Sequence, residues 1–427
     1  MWPLIEYKLS LKDGGIKMVH EISFIHAADL HLDSPFKGLA ETPAHIFRQI
    51  KDSTFQALDN LIETGIEKQV DFILISGDLF DNEIQSLKAQ IRLKKAFERL
   101  KKQSIAVYLS YGNHDFIKGN RHKVSYPNNV FIFQDEEVRT FLFEKEGVPL
   151  ASISGFSYVE RAVEVNKASE FTIRYPEVPF HIAMLHGSVQ GNEEHFPYAP
   201  FQISELVAKD YNYWALGHIH KREVLKEDPY IVYSGNTQGR HRKETGEKGC
   251  YYVKLTKTKT ELSFIPLQAI TFNALTIDVS DCTEVYQLET AIQDVLTKKL
   301  KDTPQLFDVT LYANHDALRS WQTSGQLDEI IAIINESINN RTSWKHIFRT
   351  VIQIEQIMGN PEDYYGEHFL GELSNRFEAG IAEEYIQELY QHKQARKYIE
   401  KPLQLEEQEI IDEAKVSLLN KLLKGGR

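Results

Sequence analysis

The chain is poor in cysteine and in long apolar runs. Its 427 residues include only Cys250 and Cys282, whose spacing matches no metal-binding or redox motif. No apolar stretch approaches the roughly 18 residues that a membrane helix needs, and the start lacks the apolar core of a signal peptide. These absences argue against a disulfide-rich secreted protein and against a membrane-spanning helix. We expect a cytoplasmic protein with ordinary thiols.

Negative charge exceeds positive charge in this chain. The chain has 49 basic and 61 acidic residues and a net charge of −12, which argues against a protein devoted to binding nucleic acid. Local patches matter more than the total, however, and basic groups cluster after two of the motifs described below. They are Lys118, Arg121, His122 and Lys123, and then Lys221, Arg222, Arg240, Arg242 and Lys243. Either they lie on solvated loops, or they form a rim that contacts phosphate groups.

Five strand-like segments are each followed by side chains that can bind metal. The segments are residues 22–27, 72–75, 105–109, 181–185 and 213–216. One following sequence, Gly112-Asn113-His114-Asp115, could alone be an ordinary polar turn. Five such coincidences in the same orientation are harder to dismiss. Because ligands of open α/β sheets gather at the carboxyl ends of strands, we expect these side chains to converge.

The side chains that follow the strands form a mixed nitrogen and oxygen donor set. The candidate ligands are Asp29, His31, Asp78, Asn113, His186, His218 and His220. Imidazoles, carboxylates and an amide without thiolates suit manganese, iron, zinc or nickel better than a structural zinc. Seven ligands are too many for one ion with open positions, but two ions could share a bridging carboxylate. Two ions about 3.5–4 Å apart are typical of phosphoester hydrolases.

The same residues carry a resemblance to a known family. Asp29-x-His31, Gly77-Asp78, Gly112-Asn113-His114-Asp115, His186 and Gly217-His218-x-His220 are similar, in order, to the five motifs of the calcineurin-like metallophosphoesterases. The segment FIHAADLHLD at residues 24–33 resembles the SbcD-like, DNA-repair exonuclease branch, and within it the YhaO-like group. The resemblance covers residues 22 to about 265 and implies an α/β fold, the αββα sandwich of this family.

The resemblance also implies roles for the individual residues. Two divalent metal ions, usually manganese in this family, would be bound by Asp29, His31 and His220 at one position and by Asn113, His186 and His218 at the other, with Asp78 bridging. His114 would be catalytic and would protonate the leaving oxygen or stabilise the developing charge. Asp115 would orient His114 through a carboxylate–imidazole hydrogen bond.

Changes in pattern along the chain predict four segments. They are an N-terminal extension (1–20), which is either a disordered leader or an extension from an upstream start codon, a nuclease domain (21–268), a small α/β capping domain with a βαβαβ pattern (269–358) and a helical segment (359–427). The last segment carries two apolar stripes, one through Ile381, Tyr385 and Leu389 and one through Ile411, Leu418 and Leu422. The stripes either pack on their own protein or bind a partner.

The leading functional hypothesis is a metal-dependent phosphodiesterase of DNA repair that acts as an exonuclease, with endonuclease activity left open. Its partners would be DNA and an SMC-like ATPase of the SbcC or YhaN type, without a membrane, and a homodimer is a further expectation. One alternative is a phosphodiesterase or phosphatase for small nucleotides, because the same motifs serve several substrates. The other is a scaffold for the ATPase in which catalysis is minor.

The apolar stripes generate a truncation prediction. A chain ending at Gly359 should keep manganese-dependent hydrolysis of a small chromogenic phosphodiester, because neither stripe adds a metal ligand to the motifs. It should lose co-purification with the ATPase. If the stripes pack on their own protein instead, the shortened chain will be insoluble or markedly less stable. Soluble, active, shortened protein that still bound the ATPase would exclude the docking role.

Overall fold

The computed structural model describes residues 21–39, 42–81, 86–119, 124–191, 198–338 and 343–354. Two compact units share these residues. The first contains residues up to His31, Leu58–Thr237 and Gly249–Pro266, and the second contains Leu32–Ala57, Gln238–Lys248 and the residues from Leu267 onward. The predicted N-terminal extension and C-terminal helical segment lie outside the described residues, and the predicted boundaries at residues 268 and 358 stay predictions.

Two six-stranded sheets form the first unit. The first sheet contains, in spatial order, β12 (Thr260–Pro266), β11 (Gly249–Thr256), β1 (Glu21–Ala27), β2 (Phe72–Ser76), β3 (Ala106–Ser110) and β4 (Val130–Ile132). The second contains β5 (Arg139–Lys145), β6 (Val148–Gly155), β7 (Phe180–His186), β8 (Tyr213–Gly217), β10 (Tyr230–Tyr233) and β9 (Glu223–Glu227). All five sequence-predicted strands that precede the candidate ligands are confirmed.

The two sheets pack face to face through a shared aromatic core. Phe24 of β1 stacks on Phe72 of β2 with ring centroids 5.1 Å apart, and it meets Tyr213 of β8 edge-on at 5.3 Å. Phe72 also contacts Phe143 of β5 at 5.0 Å. All four rings belong to one buried cluster that draws on both sheets. The predicted mixed α/β sandwich is therefore confirmed.

Three helices belong wholly or partly to the first unit. They are α1 (Ala44–Glu67), α2 (Leu87–Lys102) and α3 (Ile203–Val207). Ser86 is the N-cap residue directly before α2. Its hydroxyl accepts a hydrogen bond from the Ala89 amide at 3.0 Å, which satisfies one otherwise unpaired amide of the first turn. Leu93, Phe97 and Leu100 lie on the buried face of α2, three or four residues apart as the period of a helix requires.

Strand register brings the carboxyl ends of the central strands level with one another. In the first sheet, the parallel pairs align Ala27 with Ile75 and Ser76 with Ser110. In the second sheet, the parallel pair β7 and β8 aligns His186 with Gly217. The residues that follow these strands therefore leave each sheet at the same edge, as the sequence pattern predicts.

The second unit is built on a small parallel sheet. Its strands are β13 (Thr271–Asp278), β14 (Gln305–Ala313) and β15 (Lys345–Ile354), and its helices after α1 are α4 (Val285–Thr297), α5 (Ala317–Thr323) and α6 (Gln326–Ser337). Their order is the predicted β-α-β-α-β order with α5 added. None of the helices among the residues described has the length and apolar character to cross a membrane.

Two parts of the predicted nuclease domain belong to the second compact unit. They are residues 32–57 and 238–248. Ile46 and Ile50 of α1 share a buried cluster with Phe272 and Trp344, and the Trp344 indole donates a hydrogen bond to the Gln49 side chain at 2.8 Å. Contacts between residues nearly 300 positions apart (295 for Gln49 and Trp344) leave no local sequence signal.

His26 of β1 links the two sheets of the first unit. Its Nε2 lies 3.0 Å from the Leu216 carbonyl oxygen of β8, which can only accept, so Nε2 carries the proton. Its Nδ1 lies 3.0 Å from the Tyr213 hydroxyl, which donates to it. Complete burial lowers the pKa of His26 from 6.5 to about 3, so the ring stays neutral while the protein is folded.

The buried neutral His26 predicts acid-sensitive stability. Below pH 6.5 the unfolded chain binds a proton at His26, whereas the folded chain does not. The contribution of His26 to the free energy of unfolding is therefore fully present above pH 6.5 and is lost as the pH falls toward 3. This group should contribute a slope of about 1.4 kcal/mol per pH unit to the free energy of unfolding. Urea unfolding from pH 8 to 5 should show that contribution in the wild type and not in His26→Gln. The control variant His241→Gln, which changes an exposed histidine, should keep the slope of the wild type. Equal slopes in the wild type and His26→Gln would contradict the prediction.

Candidate active site

The site begins where the loops after β1 and β2 are joined by their main chains. The Asp29 amide donates to the Gly77 carbonyl oxygen at 3.1 Å, and the His31 amide donates to the Asp78 carbonyl oxygen at 3.0 Å. These bonds place the Asp29-x-His31 motif beside the Gly77-Asp78 motif. The Asp29 carboxylate in turn accepts the His218 amide, with both oxygens 3.1 Å from the nitrogen, so the loop after β8 is tied to the same place.

Several of these residues have left-handed backbone conformations. The φ angles are 52° at Asp29, 42° at His31, 51° at Asp78 and 97° at His218. Such conformations cost an L-residue roughly 1–2 kcal/mol each, although Asp and His tolerate them better than most residues do. The main-chain bonds between the loops offset part of this cost. The turns aim the side chains back over the ends of the strands.

One group of candidate ligands gathers around His31. Asp29, His31 and His220 each present a donor atom, and these atoms lie within 4.8 Å of one another. The Nε2 atoms of His31 and His220 are 3.0 Å apart, so two ring nitrogens face one point. The structure thus brings together the three residues that the resemblance assigns to one metal ion.

A second group gathers around Asn113. Its Oδ1 atom lies 2.9 Å from His186 Nε2 and 3.1 Å from His218 Nδ1. His186 Nδ1 lies 3.0 Å from the Ser76 carbonyl oxygen, so Nδ1 is the donor and Nε2 keeps its lone pair. The predicted second set therefore also converges.

Asp78 lies between the two groups. Its Oδ2 atom is 3.8 Å from His31 Nε2 and 3.6 Å from His186 Nε2, while Oδ1 accepts the His114 amide at 3.0 Å. A carboxylate in this position can bridge two cations. Oxygen and imidazole donors without sulfur, arranged as two groups around one carboxylate, fit a pair of divalent ions.

The charge states of buried His186 and Asp78 also suit a metal site. Burial lowers the pKa of His186, against the opposing attraction of Asp78, so the imidazole is neutral as a metal ligand must be. Burial alone would raise the pKa of Asp78, but His186 and His114 together lower it below its ordinary value. Asp78 is therefore an ionised carboxylate at neutral pH.

Three glycines let the strand ends approach His186. A Cβ atom at Gly77 would lie 2.2 Å from His186 Nδ1, and one at Gly217 would lie 1.9 Å from the Ser76 carbonyl oxygen. A Cβ atom at Gly112 would lie 2.3 Å from Asp78 Oδ1 and 2.7 Å from His186 Nε2. The glycine that precedes the Asp, Asn or His in three of the motifs is thus required by close packing.

The structure changes the role expected for Asp115. Its oxygens accept the main-chain amides of Gly112 and Leu79, each at 2.7 Å, and the imidazole of His114 is not among its contacts with the residues that the structure describes. His114 Nδ1 instead lies 2.9 Å from the Asp81 carbonyl oxygen. The expectation that Asp115 orients His114 is therefore corrected. The turn directs the Asp115 carboxylate back toward two amides, and it fixes the loop rather than the ring.

Asp115 also differs from Asp78 electrostatically. Burial, and then the nearby carboxylate of Asp78, raise the pKa of Asp115 well above its ordinary value, while the amides of Gly112 and Leu79 act in the opposite direction. An inward-facing acid held by amides gives the loop a fixed shape without adding a donor to either ligand group.

Sequence analysis missed several residues that support the ligands. The Tyr158 hydroxyl donates to the His186 carbonyl oxygen at 2.9 Å, and its ring meets the imidazole edge-on at 5.6 Å. Tyr198 packs against the ring of His218 with centroids 5.0 Å apart. Asp81 contacts both His31 and His114. Of these, Asp81 alone had a sequence signal, because it lies three residues after Asp78 and directly follows the Gly77-Asp78 motif region.

The basic clusters are only partly described. Lys118 is exposed in a short 3-10 helix and pairs with Glu160, and Arg121, His122 and Lys123 lie outside the described residues. Lys221 and Arg222 are exposed directly after His220, and the Arg222 guanidinium lies 3.7 Å from the ring centroid of Phe264.

The later basic residues belong to the second unit. There Arg242 Nη1 lies 3.7 Å from an Asp308 oxygen. Lys221 and Arg222 are therefore the basic residues that follow most directly from a candidate ligand.

The close packing at Gly112 predicts that its replacement by alanine will weaken metal binding. The added methyl group must displace Asp78 or His186, which belong to the bridging position and to the second ligand group. Equilibrium dialysis with manganese should show the loss of at least one bound equivalent. Gly65→Ala is the matched control, because the closest atom to a Cβ there is the end of the Ile73 side chain at 3.0 Å, and the side chains of Ile25 and Val70 follow at 3.7 Å. Wild-type metal binding by Gly112→Ala would contradict the packing argument.

Comparison with known proteins agrees with the geometry. Residues 22–222 match the family model described as Calcineurin-like phosphoesterase. The chain is 37% identical over 408 residues to a Bacillus subtilis protein described as the uncharacterized metallophosphoesterase YhaO, covering 95% of this chain and 99% of that one. It is 26% identical over 274 residues to the DNA double-strand break repair protein Mre11 of Saccharolobus solfataricus, covering 60% of this chain and 68% of that one.

A second archaeal relative is similar over a shorter region. The Mre11 protein of Sulfurisphaera tokodaii is 30% identical over 211 residues, which cover 48% of this chain and 50% of that one. The identity to the Bacillus protein, by contrast, extends through almost the whole of both chains. On that ground this chain belongs to the calcineurin-like metallophosphoesterases, hydrolases of phosphate esters whose family uses a dinuclear metal centre.

Proposed function

We propose that this protein is a cytoplasmic, manganese-dependent nuclease of DNA repair that hydrolyses phosphodiester bonds of DNA. The observation that carries the proposal is the position of Asp78 between two groups of nitrogen and oxygen donors. In the proposed assignment, Asp29, His31 and His220 bind one ion, Asn113, His186 and His218 bind the other, and Asp78 bridges them. The cytoplasmic location is supported by two free, buried cysteines.

Two bound divalent ions would lower the pKa of water and neutralise charge on the phosphoryl oxygens. The protein's own contribution is to hold the phosphodiester in line and to supply a proton. His114 Nδ1 donates to the Asp81 carbonyl oxygen, which leaves Nε2 as the exchangeable position of the ring. We assign to that nitrogen the protonation of the leaving oxygen or the stabilisation of its charge.

The choice of DNA over small nucleotides has two supports. Relatives at 26–30% identity are named as DNA double-strand break repair proteins, and the exposed pair Lys221 and Arg222 directly follows the proposed ligand His220. Basic side chains beside a phosphodiesterase site can contact the phosphates that flank the scissile one. A small nucleotide offers no such flanking phosphates, so this pair would add little to its binding.

We further propose that the protein works with an SMC-like ATPase. This part of the proposal depends on the apolar stripes at residues 381–389 and 411–422 and on the family resemblance, because those residues lie outside the described part of the chain. DNA is the second proposed partner, and manganese is the proposed native metal.

A substrate comparison tests the nuclease proposal. With manganese, the wild type should degrade end-labelled duplex DNA and hydrolyse a small chromogenic phosphodiester. His114→Ala should lose about 10²–10⁴-fold of both activities. The double variant Lys221→Gln with Arg222→Gln should lose DNA activity at moderate salt and retain the chromogenic activity. The slope of log K for DNA binding against log salt concentration should become shallower by about 0.7–0.9 for each lost phosphate contact.

The matched control for this pair is Lys101→Gln with Lys102→Gln. These two exposed lysines end α2, which precedes β3, whereas the site lies after the carboxyl end of β3. The control should keep both activities. Hydrolysis of dinucleotides without any hydrolysis of DNA would favour the small-nucleotide alternative. Unchanged cellular DNA repair in His114→Ala would favour the scaffold alternative.

A further inference from the structure

The imidazole of His31 has different neighbours on its two nitrogens. Nε2 lies 3.0 Å from His220 Nε2 and 3.8 Å from Asp78 Oδ2, within the first group of candidate ligands. Nδ1 lies 3.5 Å from Asp81 Oδ1. The His31 side chain is completely buried, and the Asp81 side chain is only 11% exposed. Little water can therefore screen the attraction between the carboxylate and the ring.

Asp81 also contacts His114, through a different atom. Its main-chain carbonyl oxygen lies 2.9 Å from His114 Nδ1. The rings of His31 and His114 meet edge-on, with centroids 5.0 Å apart. One residue thus faces a proposed metal ligand with its side chain and the proposed proton donor with its main chain.

We propose that Asp81 is a positioning residue for the candidate metal ligand His31, an inference that rests on the proposed function of the site. Its carboxylate favours the His31 tautomer with the proton on Nδ1, which directs the lone pair of Nε2 toward the metal position. A carboxylate beside the distal nitrogen of a histidine ligand increases the basicity of that ligand.

The cluster of His31, Asp81 and His114 could instead be read as a third metal site, since their donor atoms also lie within 4.8 Å of one another. The geometry argues against that assignment. His31 would have to offer both ring nitrogens as ligands at once, but a neutral imidazole has one acceptor nitrogen and one N–H. A third ion would require the loss of that second proton. A positioning carboxylate needs no such change.

Asp81→Asn separates the two contacts. The amide is nearly the size of the carboxylate and leaves the main-chain carbonyl oxygen in place, so only the charge facing His31 is removed. Equilibrium dialysis should show two manganese ions per wild-type chain and a 10–100-fold weaker apparent affinity for one of them in Asp81→Asn, about the loss typical of such supporting partners. Asp81→Glu keeps the charge and should recover much of that affinity.

A kinetic comparison tests whether the Asp81→Asn change acts through the metal ligand His31. The manganese concentration for half-maximal hydrolysis of the chromogenic phosphodiester should rise in Asp81→Asn about as much as the dissociation constant. The kcat of Asp81→Asn at saturating manganese should fall only slightly. In His114→Gln the kcat should fall strongly, while the manganese concentration for half-maximal activity should stay close to that of the wild type. Asp135→Asn is the matched control, because Asp135 is exposed and pairs with Arg139 at 3.1 Å outside the site. It should match the wild type in both measurements.

The outcomes separate this inference from the proposed function. Absence of manganese binding and hydrolysis in the wild type would overturn the proposed function itself. With an active wild type, unchanged manganese affinity in Asp81→Asn would overturn the positioning role, as would a third bound equivalent that Asp81→Asn removes. If circular dichroism showed Asp81→Asn to be misfolded, Asp81→Ser would take its place, and wild-type affinity in that variant would be equally decisive.

Discussion

The imidazole of His186 reaches the centre of the site because the strand ends at Gly77, Gly112 and Gly217 present no Cβ atoms to it. The Ser76 carbonyl oxygen then fixes the orientation of the ring, so Nε2 faces Asn113 and Asp78. Any side chain at these glycines would push the loops apart by more than the tolerance of a metal site, in which ligand distances vary by about 0.2 Å. The ligand geometry thus depends on three residues that have no functional group.

The two sheets hold those strand ends level. Parallel register sets the heights within each sheet, and the shared aromatic core sets one sheet against the other. Aromatic pairs such as Phe24 with Tyr213 each add about 0.5–1.5 kcal/mol beyond the burial of their area. His26 adds a polar link across the same interface and stays neutral there. The sandwich therefore acts as a rigid frame for loops that carry strained residues.

Much of this arrangement could be predicted from the sequence. The strands were visible because buried parallel strands are continuous apolar runs, and the convergence of the candidate ligands followed from the positions after them. The short α3, the charged edge strand β9 and the added α5 were missed, since a helix of five or seven residues shows too little periodicity and an exposed edge strand is not apolar.

Other features depend on atoms far apart in the sequence or on the exact path of a turn. The left-handed conformations of Asp29, His31 and Asp78 have no signal in residue types that are also common elsewhere. The family resemblance suggested that Asp115 would orient His114, but the turn gives that contact to the carbonyl oxygen of Asp81. The tie between the Asp29 carboxylate and the His218 amide spans 189 residues, so the site has no partial form made of neighbouring segments. During synthesis, a nascent chain from which His220 has not yet emerged cannot assemble both groups of candidate ligands. Tight metal binding should therefore appear late and together with the folding of the whole sandwich, as expected for contacts of such large sequence separation.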